Sequence, residues 1–187
     1  MIKTPSPNTN DLSGSTLSPL NAPPRARRFA CMMYEGVLLF GVVFLSAYLF
    51  DTLTQSKHAL TLRHARQLVL FIAIGIYFFL CWKRSGQTLP MKAWDMRLVR
   101  ADGQMPRTGQ LLFRYGLMWV LPLVAASGVW GLSVLTGWAS VDLLIVAAPF
   151  VNFIPTFWTP GGQFAHDLVA GTRLIHVPPP IKISKNP

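Results

Sequence analysis

The chain has 187 residues, of which 51% are hydrophobic and 13% are charged, and its formal net charge is +10 at pH 7. Soluble domains usually carry about 25% charged residues, so this composition excludes an ordinary soluble globular protein. Nucleic-acid-binding proteins concentrate basic residues on a polar, water-exposed face, whereas the basic residues here flank apolar runs. That pattern is typical of a chain oriented in a membrane by its loops. We therefore expect the lipid bilayer as a partner and no nucleic acid.

The N-terminal segment 1–24 is rich in Pro, Ser, Thr and Asn. Such a segment buries too little apolar surface to offset the entropy of ordering, so it is predicted to be a disordered tail. A single membrane domain is predicted over 25–177, followed by a C-terminal tail at 178–187. The fold class predicted is an all-α polytopic membrane protein with four transmembrane helices and short cytoplasmic β or amphipathic elements.

Four apolar runs predict the four spans, since each can cross about 30 Å of hydrocarbon. They are residues 29–50, 67–82, 112–135 and 141–158. The second is short, and Arg66 and Lys83 can lengthen it by extending their charges to the two interfaces. Arg114, near the start of the third, is expected to reach back to the headgroups in the same way.

Two further segments have recognisable local patterns. Residues 96–99, MRLV, are predicted to form a short strand, with a turn at 101–103 and a return. In the fourth span Pro149 and Pro155 should kink or break the helix, with Asn152 between them. Such prolines are tolerated where neighbouring groups satisfy the freed carbonyls, and we favour a packing kink over a break that coordinates a substrate.

The distribution of basic residues predicts the orientation. Of 17 Lys and Arg residues, only three lie in the 51–66 loop and none in the 136–140 turn, whereas the others lie in the two tails and the 83–114 region. Cytoplasmic loops carry the excess of Lys and Arg. The chain is therefore predicted to lie in the cytoplasmic (inner) membrane with both termini in the cytoplasm.

One carboxylate lies inside an apolar run. Glu35 follows Arg28 by seven residues, so both project from the same helix face about 10 Å apart along the axis. A charge at this depth costs about 2.5–3.5 kcal/mol on insertion scales, so Glu35 should face other helices and have a polar partner. Two interpretations stay open: an ion or proton site, and a polar clasp that holds helices together.

Three segments, in chain order, resemble motifs of the RDD family of membrane proteins, which is named for an Arg and an Asp in the first span and a later Asp. RFACMMYE contains Arg28 and Glu35 at the family spacing, with Glu in place of Asp. GQTLPMK at 86–92, followed by MRLV, is similar to the family's G-Q-T-x-G-x-K and short strand. HDLVAGTR at 166–173 resembles the terminal block, with Asp167 as the last Asp.

The resemblance implies a role in transport, including cation/proton exchange for some members, with Arg28, Glu35 and Asp167 as candidate functional residues. The secondary motif positions are Gly86, Thr88, Lys92, His166, Gly171 and Thr172. We expect Arg28 to pair with Asp167 and thereby close the first span against the fourth. The strands MRLV and TRLI are expected to meet beneath the membrane.

Two functions are therefore expected as alternatives. The first is transport of ions or a small solute by a homo-oligomer, because four helices make a thin bundle. The second is a scaffold or assembly protein that binds other membrane proteins. An enzyme is not expected, since the sequence has no GxSxG, HExxH or phosphate-binding loop. No cofactor or metal site is predicted, and Cys31 and Cys81 lack metal-binding spacing.

Overall fold

The computed structural model of the chain describes residues 22–55 and 62–177. Its elements, in chain order, are α1 (Arg25–Thr54), α2 (Arg63–Ser85), α3 (Leu89–Ala93), β1 (Met96–Arg100), α4 (Thr108–Thr136), a 3₁₀ helix (Ala139–Phe157), a 3₁₀ turn (Pro160–Gly162), α5 (Ala165–Val169) and β2 (Thr172–His176). The predicted C-terminal tail, and all but the last three residues of the predicted disordered tail, lie outside the described residues.

Four helices are long and apolar enough to cross a membrane: α1, α2, α4 and the 3₁₀ helix. They confirm the predicted all-α polytopic fold class. The helices begin before the apolar runs that predicted them, α1 at Arg25 and α4 at Thr108.

The fourth apolar run forms one continuous 3₁₀ helix of 19 residues, with Pro149 and Pro155 inside it. These prolines were expected to kink or break the helix, with a packing kink favoured, and no break interrupts the 3₁₀ helix. A 3₁₀ helix rises about 2.0 Å per residue, so this segment reaches about 38 Å. That length exceeds the roughly 30 Å of a hydrocarbon core, so a short run can still cross it.

Asn152, between those two prolines, fastens the 3₁₀ helix to α4. Its side-chain amide donates a hydrogen bond of 2.9 Å to the carbonyl of Met118. That carbonyl lies four residues before Pro122, inside α4, and proline has no N–H with which to complete the helical bond. The amide therefore satisfies a carbonyl that a proline frees, which supports the packing interpretation of this polar residue.

The two strands pair antiparallel, with Leu98 opposite Leu174. This pairing confirms that the segments MRLV and TRLI meet. The predicted turn follows β1, where the N–H of Gly103 donates to the carbonyl of Arg100 at 2.9 Å. The predicted return strand is not formed, since residues 104–107 have no strand structure.

Both outer edges of this small sheet are closed. The N–H of Leu98 donates to the carbonyl of Gly86 at 2.8 Å, and the Gln87 side chain donates to the carbonyl of Met96 at 2.7 Å. On the other edge the Gln163 side chain accepts from the N–H of Leu174 at 2.9 Å and donates to its carbonyl at 3.0 Å. Side chains thus satisfy the backbone groups that an edge strand would leave unpaired.

The buried core lies at one end of the helix bundle. We call this end the motif face: the start of α1, the end of α2, α3, the start of α4, the end of the 3₁₀ helix, α5 and the sheet. Its buried apolar side chains are Cys31, Ile74, Phe78, Trp82, Met91, Met96, Leu98, Leu111, Tyr115, Phe164 and Leu174. Elsewhere the long helices expose large apolar side chains, such as Leu135 at 86%, which suits contact with equally apolar lipid tails.

Candidate functional site

Glu35 joins three segments of the motif face. It lies on α1, and its two carboxylate oxygens accept hydrogen bonds from the hydroxyls of Tyr77 and Thr88, each at 2.6 Å. Tyr77 belongs to α2, and Thr88 precedes α3. The prediction that Glu35 faces other helices and has polar partners is confirmed. Both of these donors are neutral, and within the described part of the chain the carboxylate has no direct ion pair.

Thr88 is positioned by the loop between α2 and α3. As the N-cap of α3, its hydroxyl accepts from the N–H of Met91 at 3.4 Å while donating to Glu35. The loop begins at Gly86, whose φ is +69° and where a Cβ would lie 2.8 Å from the carbonyl oxygen of Leu98. Only glycine fits both that conformation and the close approach of β1. The second motif thereby places its hydroxyl against the carboxylate of the first.

Arg28 is almost completely buried, with 1% of its surface exposed. Its guanidinium donates to the carbonyls of Gly162 and Gly161, the latter at 2.9 Å, just after the 3₁₀ helix. Both glycines have positive φ, so the turn that presents these carbonyls depends on glycine. The expected ion pair between Arg28 and Asp167 is wrong: within the described ranges 22–55 and 62–177, backbone carbonyls are the hydrogen-bond acceptors of Arg28.

Asp167 pairs instead with Arg114 of α4. Its Oδ1 lies 2.5 Å from Arg114 Nε, and the two side chains are 0% and 7% exposed. The Arg114 guanidinium also lies over the ring of Trp82, 4.2 Å from its centroid. The prediction that Arg114 reaches back to the headgroups is therefore wrong, because a buried carboxylate and an aromatic face are within its reach. The sequence did contain a signal for the pairing of Arg114: it is an ionisable residue inside an apolar run, the same signal that identified Glu35.

His166 is packed into the third motif. Its ring stacks on Phe164, with centroids 5.3 Å apart, and its Nε2 lies 3.5 Å from Asp167 Oδ1. Burial lowers the pKa of His166 to about 4, so the imidazole is neutral at pH 7. Thr172 donates its hydroxyl to the carbonyl of Asp167 at 3.2 Å, and Gly171, with a φ of +65°, makes the turn into β2.

Four charged side chains form what we call the polar cluster: Arg28, Glu35, Arg114 and Asp167. The positive charge of Arg28 is attracted to the carboxylate of Asp167, and that of Arg114 is attracted to the carboxylate of Glu35, although neither pair is in direct contact. Two positive and two negative groups therefore balance one another at the motif face. Lys92, also predicted as a motif position, is exposed on α3, and its side chain has no hydrogen bond or ion pair among the described residues.

The polar cluster is packed between helices and does not line the cavity that the structure contains nearby. That cavity, of about 390 Å³, lies between α2 and α4 and has apolar walls that do not include Glu35. In the part of the chain that the structure describes, no group of three or more His, Cys, Asp or Glu side chains could hold a metal ion. The side chains of the polar cluster can form hydrogen bonds, pair opposite charges and bind protons.

The motifs that meet here agree with the family comparison. Residues 22–171 match the family model described as the RDD family. No curated protein and no solved structure matches the chain. The matched range covers most of the chain and includes Arg28, Glu35 and Asp167, whereas β2 lies beyond its end. The chain belongs to the RDD family.

Proposed function

We propose that the protein lies in the cytoplasmic (inner) membrane with both termini in the cytoplasm and exchanges a cation or small solute for protons, with Glu35 as the group that binds and releases the proton. The orientation is supported by the excess of Lys and Arg in the tails and in the 83–114 region. In this orientation the motif face is the cytoplasmic end of the bundle.

The observation that carries the proposal is the environment of Glu35. Among the described residues its hydrogen-bond donors are two hydroxyl groups, whereas the fully buried carboxylate of Asp167 has an arginine in direct contact. A hydroxyl oxygen can also accept a hydrogen bond, so Tyr77 and Thr88 can serve the protonated carboxyl as well as the carboxylate. Glu35 can therefore gain or lose a proton without the loss of a direct ion pair.

A route for the exchanged solute requires more than one copy of the chain. The cavity between α2 and α4 is apolar and does not include Glu35, and four helices provide little interior. Glu35 is only half buried in the single chain. A homo-oligomer that places several such carboxylates around a shared passage supplies the polar surface that one bundle lacks.

Reconstitution of the full chain in liposomes with an internal pH dye tests this proposal. Imposed sodium or potassium gradients are expected to drive a change in internal pH with the wild-type protein, because exchange couples cation entry to proton exit. Glu35→Gln should abolish the pH response, and Glu35→Asp, which keeps the carboxylate, should retain part of it. Asp142→Asn, which removes an exposed carboxylate in the first turn of the 3₁₀ helix, is the matched control and should transport normally.

A scaffold is the second candidate, and one observation favours it: both oxygens of Glu35 are already paired, as in a clasp that only holds helices together. A scaffold would show no flux under any imposed gradient, and Glu35→Gln would lower its thermal stability. Equal flux in the wild type and in Glu35→Gln would contradict the role assigned to Glu35 in transport.

A further inference from the structure

The cavity between α2 and α4 is a groove in the surface that faces the membrane. We call it the α2/α4 groove. Its walls are apolar and include Phe71, Gly75, Phe79 and Trp82 of α2 and Leu111 and Tyr115 of α4. Its volume of about 390 Å³ lies within the range of small-molecule sites, about 300–1,000 Å³. Several rim residues are exposed, including Ile76 at 54% and Leu80 at 60%, so the groove opens toward the hydrocarbon.

The groove has the length of one leaflet. On α2 its lining runs from Phe71 to Trp82, which at 1.5 Å per residue is about 16 Å, or half of a hydrocarbon core of about 30 Å. It begins at the motif face and ends where the ring of Phe71 packs on Tyr115 and Trp119, at 5.0 and 5.6 Å between centroids. The Tyr115 hydroxyl closes this end by donating to the carbonyl of Phe71 at 2.6 Å. A transmembrane helix would need a groove through both leaflets, whereas an acyl chain needs one.

Gly75 lets α2 and α4 pack closely at the floor of the groove. A Cβ at this position would lie 3.0 Å from the ring of Tyr115, so the absence of a side chain lets that ring pack directly on α2. This contact and the hydrogen bond from the Tyr115 hydroxyl to the Phe71 carbonyl hold α2 and α4 close together. The floor of the groove is therefore formed by two closely packed helices, and ligand sites are usually preformed in this way.

Two basic residues lie at the end of the groove that meets the motif face. Lys83 directly follows Trp82, and its Nζ lies 5.4 Å from the centroid of the Phe79 ring, one of the groove walls. Arg84 is the next residue, and both side chains are exposed. Neither forms an ion pair within residues 22–55 and 62–177. Basic pockets between transmembrane helices on the cytoplasmic side bind anionic lipid headgroups, so this end of the groove suits a negatively charged group.

We propose that the α2/α4 groove binds one acyl chain of an anionic phospholipid from the leaflet at the motif face, with the phosphate of its headgroup on Lys83 and Arg84. Apolar walls, one-leaflet length and two basic side chains at the mouth match the two parts of such a molecule. A second copy of this chain would require the full membrane thickness and no basic mouth. The site is separate from the polar cluster, so it stands whether or not the protein transports.

Cross-linking of the full chain in nanodiscs tests the proposal. The probes are phosphatidylglycerol and phosphatidylcholine with the same photoactivatable acyl chain, and cross-linked peptides are identified by mass spectrometry. We expect labelling of residues 71–82 and 111–115, with phosphatidylglycerol preferred. Each Lys or Arg near the surface contributes about fivefold in affinity for an anionic lipid, so the double variant Lys83→Gln/Arg84→Gln should weaken phosphatidylglycerol binding roughly thirtyfold. Phosphatidylcholine binding should fall much less, because its phosphate is neutralised by its own choline group.

Matched variants keep the test specific. Arg63→Gln/Lys92→Gln removes the same charge from two exposed sites elsewhere and should preserve the preference. Ile76→Trp fills the groove and should reduce labelling with both lipids several-fold. Val37→Trp should not, because Val37 lies on α1 outside the groove and is itself 72% exposed. Equal labelling by the two lipids, an equal loss in the control double variant, or wild-type labelling confined to helices other than α2 and α4 would overturn the proposal. So would a dimer that Ile76→Trp converts to monomer while lipid labelling is unchanged.

Discussion

The buried ion pair of Asp167 and Arg114 makes a quantitative prediction. Asp167→Asn keeps the size of the side chain but removes its charge, which leaves the Arg114 guanidinium without its counter-ion in a site where only 7% of that side chain is exposed. Removal of one partner of a buried pair costs about 3–5 kcal/mol, because the remaining charge stays buried and uncompensated. We expect the free energy of unfolding to fall by that amount in Asp167→Asn.

A second pair in the same protein provides the control. Asp51 and Arg66 also lie 2.5 Å apart, but their side chains are 39% and 20% exposed, and they join the ends of α1 and α2 remote from the motif face. Solvent screens such a pair, so Asp51→Asn should cost less than about 1 kcal/mol. Chemical denaturation of the detergent-solubilised proteins, followed by tryptophan fluorescence, compares the two losses under the same conditions.

The double variant Asp167→Asn/Arg114→Met separates a lost attraction from a stranded charge. If the cost arises from the uncompensated guanidinium, replacing it with an apolar side chain of similar length should recover part of the stability lost in Asp167→Asn. The reasoning would be refuted if Asp167→Asn lost no more stability than Asp51→Asn, or if the two substitutions at the motif face added without any coupling.

Three further substitutions have defined expectations. Gly86→Ala should lower the thermal stability sharply, because its φ is +69° and its Cβ would meet a carbonyl oxygen of β1 at 2.8 Å, whereas Gly109→Ala, with open space at the Cβ position, should not. Asn152→Leu should lower the free energy of unfolding by about 0.6–1.7 kcal/mol. The loss should be smaller in a Pro122→Ala background, because the new N–H at position 122 satisfies the carbonyl of Met118 that Asn152 otherwise satisfies. Equal losses in the two backgrounds would contradict this role of Asn152. Burial lowers the pKa of His166 from 6.5 to about 4, so the unfolded chain takes up the proton first as the pH falls. The free energy of unfolding is therefore highest above about pH 6.5 and falls as the pH is lowered toward 4. His166→Gln should make the measured Tm depend less on pH over this range.

Much of the architecture was predictable from local pattern. Apolar length is set by the thickness of the bilayer, so four runs identified four helices without knowledge of their packing. Strand pairing between MRLV and TRLI was also predictable, because both are short apolar segments that leave the same end of the bundle. The fourth span was predicted less well: its prolines indicated a kinked or broken α-helix, whereas the chain forms a 3₁₀ helix that keeps both prolines within one segment.

The sequence by itself determined that Glu35 would have to find a polar partner, since an unpaired charge at that depth is costly. Only the tertiary structure decided which partners the charged side chains of the polar cluster have. Asp167 and Arg114 lie 53 residues apart in the chain, and the choice of Arg114 over Arg28 depends on how α4 and α5 pack. Arg28 instead finds two glycine carbonyls more than 130 residues away. A residue's need for a partner is a local property of its charge and depth, whereas the identity of the partner depends on how distant segments are brought together.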